Sequence, residues 1–500
     1  MPSRGVLVID AGSSRPRCAV FDETGRVVAS RNGRWAYLVD PEGSTLSREF
    51  DTEAVWKELC DLTGGCVADA NQESCRVGAV AVTGQRQAVA FLDADGREVY
   101  AGPNIDLRAV FEGAAIDEDA RDEVYATTGH IPSLLFAAAK LRWFRVHRPK
   151  AYARIARAVT LADWIAWRLT GVLCSEVTLA GEAGLLDIVH RTWCSGLLDR
   201  LGVMSADVPL VHAGSMIGET GSKASEDSGI GTGTPVVAAG ADTQCGLLGL
   251  GVSKEHDLGV VAGWSAPLQL ITSRPVFSPD ARTWAGCYLE DEKWVIESSP
   301  GDVGNSYRWL ADTLFDGAED AYGAMDGLAA PVPPGADGTW AFLGPARMDM
   351  AAVGMRSGGF VFPVPLTHSD VGRGHLVRAS LESGAFAVKA NLEQIEDIAG
   401  VRPRNITVGG GMTRTATWVQ LVADVLGREI GVSHGADVSA VGASLCARTA
   451  LGDYSSLAEA ADAVRDTVRT VEPDPLASSE YAELYERWTE LSDRLRDFTV

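Results

Sequence analysis

The chain begins with a short apolar run, Gly5-Val6-Leu7-Val8-Ile9, that stops at the small polar stretch Asp10-Ala11-Gly12-Ser13-Ser14. Such a β-rich run bounded by turn residues predicts a buried strand. Arg17-Cys18-Ala19-Val20-Phe21-Asp22 predicts a second strand, and a third follows the turn residues Thr24-Gly25. The three form a meander with a polar loop between the first two. Helical spacing then runs over Thr52–Ala70, and strands return at Val77–Val82 and Ala88–Leu92. Helices are predicted over Ala137–His147 and Leu161–Leu169, the latter stopped by Thr170-Gly171.

From Pro235 the pattern restarts. Val236–Gly240 reads as a strand, Asp242–Leu250 as a short glycine-rich helix, and Leu258–Ala262 as a strand entering the turn Gly263-Trp264-Ser265. Later come a helix at Leu381–Ala399, a strand at Asn405–Val408, and Gly409-Gly410-Gly411 leading to a helix from Thr417 to Leu426. A small-residue helix, Ser439–Leu451, follows. Tyr481, Leu484, Trp488, Leu491 and Leu495 recur at helical spacing and predict an amphipathic helix on the second half. A strand running into a glycine turn thus stands near the start of each half. Two such turns facing across a cleft could hold one phosphate chain, although a glycine-rich chain also produces such a pair by chance.

Length changes the picture from one core to two, since 500 residues suit two domains of roughly 200–250 residues. With no low-complexity linker, the halves are expected to touch closely, with a hinge near 245–256. The 44 Lys and Arg against 67 Asp and Glu give a net charge of −23. No basic cluster interrupts that balance, which argues against a nucleic-acid partner and otherwise reads as solubility. Nine scattered cysteines without a CxxC pair, and no HExxH, predict free thiols and neither a disulfide frame nor a zinc site. With no leader-like or membrane-spanning run, a cytoplasmic location and no membrane partner are expected.

Four segments carry candidate chemistry. Asp10, Gly12, Ser13 and Arg17 offer backbone N–H groups, a carboxylate and a cation, the parts of a phosphate and Mg²⁺ cradle; the same residues also suit a plain hairpin turn. Gln85 and Arg86 follow a buried strand, where sugar hydroxyls find amide and guanidinium partners or where a loop is merely solvated. Asp106 adds a further substrate contact, or a structural pair with Arg108. In Gly240-Ala241-Asp242-Thr243-Gln244 a carboxylate closes a buried strand, where α/β enzymes place reactive groups; it is also a good helix cap. Phosphoryl transfer asks for little beyond such a proton acceptor and good positioning. Gly409, Gly410 and Gly411 let a nucleotide lie against backbone, or only make a tight turn. Neither GxGxxG nor GxxxxGK[ST] occurs.

In this order, the segments resemble the FGGY family of carbohydrate kinases over roughly residues 5 to 455. The resemblance implies an α/β fold of two actin-like ATPase (ribonuclease H-like) domains with the catalytic cleft between them, here 1–248 for sugar and phosphate and 249–500 for nucleotide with the C-terminal helix. It implies ATP and Mg²⁺, with Asp10, Gly12, Ser13, Arg17, Gly263, Ser265, Gly409, Gly410 and Gly411 around the nucleotide. Asp242 falls on the family's catalytic aspartate, with Asp10 and Asp242 toward the metal and Gln85, Arg86, Asp106 and Gln244 toward the sugar. Asp163–Gly171 looks like a scaffold stretch of the family. The chain departs from the pattern at Ser13, at Arg15-Pro16 and at Trp264, where Thr is usual. Arg86-Gln87 stands where xylulokinases carry Met-His and where glycerol and autoinducer-2 kinases carry Arg-Glu. The expected activity is transfer of the ATP γ-phosphoryl group to a short ketose or linear polyol, pentulose-type sugars favoured. A sensor that keeps the fold without turnover, and an autoinducer-2, glycerol or erythritol kinase, are the alternatives. The expected partner is a small sugar or polyol, and a homodimer is left open.

Overall fold

Three parallel strands of the first half end side by side, and their register explains why chemistry gathers there. In the computed structural model, which describes residues 3–38, 46–205, 208–352, 357–364, 371–433, 435 and 437–496, Asp10 pairs with Thr83 and Thr83 with Gly240. The strands Ser3–Ala11, Cys75–Gly84 and Pro235–Ala241 therefore deliver Asp10, Gln85-Arg86 and Asp242 to one sheet edge. They belong to a six-stranded sheet ordered Met216–Glu219, Pro235–Ala241, Cys75–Gly84, Ser3–Ala11, Pro16–Phe21, Val27–Asn32. Their near-continuous apolar character is what burial on both faces demands of parallel strands.

The second half repeats the plan in a seven-stranded sheet. Asp257–Val261, Leu268–Thr272 and Trp294–Ser298 form its meander, and Asn405–Gly409 and Ile430–Val432 run parallel to the first of these. Val261 pairs with Gly409, so the turns that follow each strand are neighbours. Ala262 N–H donates to Gly409 O at 2.7 Å and Met412 N–H donates to Ala262 O at 3.1 Å.

Each sheet has its own core, and a third cluster joins them. It holds Val6, Ala81 and Val237 of the first sheet, Cys245 and Leu248 of the helix Asp242–Gly249, and Val438 and Ala443 of the helix Val438–Ala450. Glycines bring these two helices together backbone to backbone. A Cβ at Gly442 would lie 1.8 Å from Cys245 O, and one at Gly249 would lie 2.0 Å from Val438 O.

The amphipathic C-terminal helix, Pro475–Arg496, buries Tyr481 and Trp488 in the second core. The helix expected from Leu381 begins eight residues earlier, spanning Arg373–Ala399. Its first turns carry Gly374 and the polar residues Arg373 and His375, so apolar spacing does not mark them. Helix Leu161–Thr170 ends where expected, with Gly171 left-handed at φ 75°. All nine cysteines are buried and free. Among the described residues no helix is long and apolar enough to cross a membrane.

Candidate active site

Two adjoining cavities occupy the cleft between the halves. One, of about 820 Å³, is lined by Ser13 and Ser14 from the first half and by Gly263, Trp264, Tyr307, Tyr322, Gly411 and Met412 from the second, among others. The other, of about 390 Å³, is lined by Gly12, Arg17, Arg86, Gln87, Asn104, Asp242, Ser265 and neighbouring residues. Ser13, Ser14, Gly263 and Trp264 line both, so the two glycine turns form the passage between them.

The first turn is braced from behind. Trp35 Nε1 donates to Gly12 O at 2.8 Å, Asn104 Nδ2 donates to Ser13 Oγ at 2.7 Å, and Gln85 Nε2 donates to Ala11 O at 3.3 Å. Asp10 is almost fully buried; Arg17 donates to its Oδ2, while its Oδ1 has no hydrogen-bond partner. Burial raises the Asp10 carboxyl above the usual range against the pull of Arg17. Arg17 also lies 3.5 Å from Asp437 Oδ1, a residue the sequence reading missed.

The second turn is built differently. Trp264 O accepts from Gly304 N–H at 2.8 Å and Asn305 N–H at 3.0 Å. A Cβ on Gly304 would sit 2.0 Å from Gly263 O, so the helix Val303–Leu314 starts directly against this turn. The Trp264 side chain is 45% exposed toward the cleft. Of the glycine run, Gly411 alone lines a cavity. Gly409 and Gly410 do not reach the cleft: added Cβ atoms would lie 2.4 Å from Leu250 Cδ2 and 2.5 Å from Ala262 O. Their part is the tight turn, with Gly410 at φ 108°.

Asp242 opens its helix at the first helical position, not the cap, which is Ala241. Its carboxylate therefore makes no capping bond and accepts only from Thr243 Oγ1, at 3.2 Å. Burial lifts its pKa to about 6; Arg86 pulls it down and Asp10 pushes it further up. A carboxylate titrating there is ionised at neutral pH yet basic enough to take a proton from a hydroxyl.

Behind the smaller cavity lies a buried ionic cluster that spans both halves. Arg86 donates through Nη1 to Glu297 Oε2 at 2.6 Å and through Nη2 to Glu297 Oε1 at 3.0 Å, with Glu182 Oε2 3.3 Å from Nη1. Gln269 Nε2 donates to Glu297 Oε2 at 2.5 Å and Gln244 Nε2 to Glu182 Oε1 at 2.7 Å. His130 Nε2 is 3.5 Å from Glu182, and the Arg86 guanidinium lies 5.4 Å from the centre of the Trp284 ring. Burial raises the Glu182 carboxyl, but Arg86 and His130 outweigh it and hold it well below the usual carboxylate range.

Three residues expected to touch substrate stand behind the cavity wall. Asp106 is fully buried: Tyr100 and Arg108 donate to Oδ2 and Arg48 N–H to Oδ1, so the structural pairing with Arg108 accounts for it. Gln85 is spent on Ala11 O and on Asn104 N–H, which donates to its Oε1 at 3.1 Å. Gln244 holds Glu182 with its amide N–H and leaves Oε1 without a partner. Gln87 and Asn104 line the cavity instead, with Gln87 Nε2 and Asn104 Oδ1 unpartnered. Gln87 holds a left-handed φ of 61°, and Lys140, itself fully buried, donates to its carbonyl at 3.0 Å. Glu182, Glu297, Gln269 and Trp284 were invisible in the sequence because each sits singly in an unremarkable run.

Two acidic strand ends, two glycine turns and a cavity lined by Arg86, Gln87, Asn104 and Asp242 define a phosphotransferase cleft between twin α/β domains. The N-terminal domain of the FGGY family of carbohydrate kinases matches residues 5–249 and the C-terminal domain of that family residues 259–451. The chain belongs to this family and is an ATP-dependent sugar kinase with the family's two-domain mixed α/β fold. It is 28% identical to the autoinducer-2 kinase of Salmonella paratyphi B, over 97% of this chain and 93% of that one. Among solved structures it is similar to the xylulose kinase from Rhodospirillum rubrum, at 27% identity and a TM-score of 0.83, covering 99% of both chains. The glycerol kinase from Plasmodium falciparum with ADP shares the fold at 18% identity, with a TM-score of 0.83 over 100% of this chain and 99% of that one.

Proposed function

We propose that this kinase phosphorylates a hydroxyl of an uncharged short-chain ketose or polyol, with Asp242 as the proton acceptor. The observation that carries the reading is the position of Asp242: it lines the smaller cavity beside Arg86, Gln87 and Asn104, next to the passage made by the two glycine turns. The acceptor oxygen attacks the γ-phosphorus of ATP, the bond from that phosphorus to the β,γ-bridging oxygen breaks, and ADP leaves. The hydroxyl proton passes to the Asp242 carboxylate. The nucleoside fits the larger cavity, which Gly411 lines, and the phosphates the passage, where Ser13 and Gly263 line both cavities. Closure of the halves keeps water from competing as acceptor.

An uncharged acceptor is supported by the pairing of Arg86 and by the neutral groups beside it. Arg86 already faces two carboxylates, so it offers no spare charge to an anionic sugar acid, while Gln87 Nε2 and Asn104 Oδ1 are neutral groups in need of hydroxyl partners. Among the described residues no group of three or more His, Cys, Asp or Glu forms a metal site. The free Oδ1 of Asp10, with Asp242 nearby, fits a hydrated Mg²⁺ held mainly by nucleotide phosphates. When bound, that ion neutralises charge developing on the phosphates.

A coupled ADP-release screen over glycerol, erythritol, tetruloses, pentuloses, hexuloses, gluconate and the autoinducer-2 precursor tests the reading. Stimulation by a neutral ketose or polyol supports it; stimulation by gluconate alone overturns it.

A further inference from the structure

The peptide that precedes Asp242 is gripped from both sides by threonine hydroxyls. Thr83 Oγ1 donates to Gly240 O at 2.7 Å, and Ala241 N–H donates to Thr178 Oγ1 at 2.9 Å. Thr178 in turn donates to Glu176 Oε2 at 2.6 Å, and the same oxygen accepts from Leu179 N–H at 3.0 Å. All three side chains are buried. One grip comes from the adjoining strand Cys75–Gly84, the other from the helix Val177–Glu182 and the residue before it.

This peptide needs such support. The register of Pro235–Ala241 against Cys75–Gly84 slips between Ala238 and Gly240, so the sheet ladder is interrupted just before the site. Gly240 adopts φ 108°, and a Cβ there would lie 2.4 Å from Leu289 Cδ2 and 3.0 Å from Thr178 Oγ1. Glycine at this point is what lets the backbone reach both threonines. Beyond the peptide, the Asp242 carboxylate has a single neutral hydroxyl partner, so its aim is set by the backbone that carries it.

We propose that Thr178, tethered by Glu176 and opposed by Thr83, is a positioning residue that fixes the direction of Asp242 for proton transfer. The proposal rests on Asp242 being the proton acceptor. It concerns groups that touch neither nucleotide nor sugar, so their loss acts on turnover and not on binding. A tilt of the Gly240–Ala241 peptide moves the carboxylate relative to the attacking hydroxyl, and small misplacements of that kind cost rate steeply.

Thr178→Val keeps the side-chain volume and removes both hydrogen bonds. With whichever acceptor in the screen above gives sugar-stimulated ADP release, kcat is expected to fall by about 10- to 100-fold while both KM values stay within about twofold. Thr178→Ser, which keeps the hydroxyl, is expected to restore most of kcat. Asp242→Asn is measured alongside. If Asp242→Asn retains turnover, the reading of Asp242 falls and the positioning role with it. If Asp242→Asn is inactive but Thr178→Val keeps wild-type kcat, raises KM instead, or is matched in its loss by the serine variant, the positioning role alone is overturned. Should Thr178→Val not fold by circular dichroism, Thr83→Val and Thr83→Ser carry the same expectation and the same overturning results.

Discussion

Arg86 and Glu297 meet through two parallel hydrogen bonds, 2.6 and 3.0 Å long, and so tie the turn after a strand of the first sheet to a strand of the second. Paired charges of this kind, fork to fork, set geometry as well as attraction. The pair lies at the back of the smaller cavity and joins the two halves there. Its energetic weight is asymmetric, because among the described residues Glu297 pairs with no cation but Arg86, and Glu182 has besides it only His130, 3.5 Å away.

Arg86→Met should therefore destabilise the fold sharply. It leaves two carboxylates buried at side-chain exposures of 3% and 2% without their partner. Loss of one member of a buried pair costs on the order of 3–5 kcal/mol. Urea unfolding of the variant checks this. Adding Glu297→Gln should recover part of the loss, and a double variant no more stable than Arg86→Met would argue against the pairing as its cause.

Asp242→Asn should separate activity from stability in opposite directions. Removing the proposed proton acceptor is expected to lower kcat by about 100-fold or more. Because burial holds the native carboxyl at about 6 instead of 3.8, the ionised form costs stability above that range, and the amide removes the cost. Thermal unfolding at pH 8 should show a higher Tm for the variant, with the gain gone by about pH 4, where both forms are uncharged.

The wild-type pH profile follows from the same group. A base must be deprotonated to act, so kcat/KM for the acceptor, which reports the free enzyme, should fall as pH drops through about 6. A profile flat from pH 7 down to pH 5 would assign the proton to another group.

Much of this was readable beforehand, and the reasons are local. Strand, polar turn and helix alternate cleanly around Asp10 and Asp242, because parallel strands are apolar throughout and their ends are marked by Gly, Asp and Ser. Their convergence on one sheet edge needs only that three strands run parallel. What spacing cannot reveal is which polar residue turns inward. Gln85 looked like a cleft residue and is spent on internal partners, and Asp106 forms the structural pair with Arg108 that its position also offered, whereas Glu182, Glu297 and Trp284 arrive at the site from separate elements. The helix Val177–Glu182 of the first half brings Glu182, and only the packing of the second sheet against that half brings Glu297 and Trp284.

Gly410 and Gly411 should respond to alanine in different ways. Gly410 sits at φ 108° with Ala262 O in the path of a Cβ, so Gly410→Ala should destabilise the second half. Gly411 has open space at that point and lines the larger cavity, so Gly411→Ala should leave Tm nearly unchanged and raise the KM for ATP by roughly several-fold. Equal effects on Tm would contradict the division of the run into turn and wall.

Glu176 supplies the last prediction, and its sign follows from burial. Its carboxyl is pushed up by burial from 4.5 to about 7, against hydrogen bonds from Thr178 and Leu179 that pull it down. The native state thus holds a proton between pH 4.5 and 7 that the unfolded chain has released. Where the native state binds more protons, stability falls as pH rises. The contribution of Glu176 is intact below about pH 4.5 and is lost through pH 7, up to on the order of 3 kcal/mol. Glutamine mimics the protonated acid and can still accept from Thr178, so Glu176→Gln should unfold at a higher urea concentration than wild type at pH 8. At pH 4.5 the two should coincide. A variant that is less stable than wild type at pH 8 would mean that the ionised carboxylate has a counter-charge in solution.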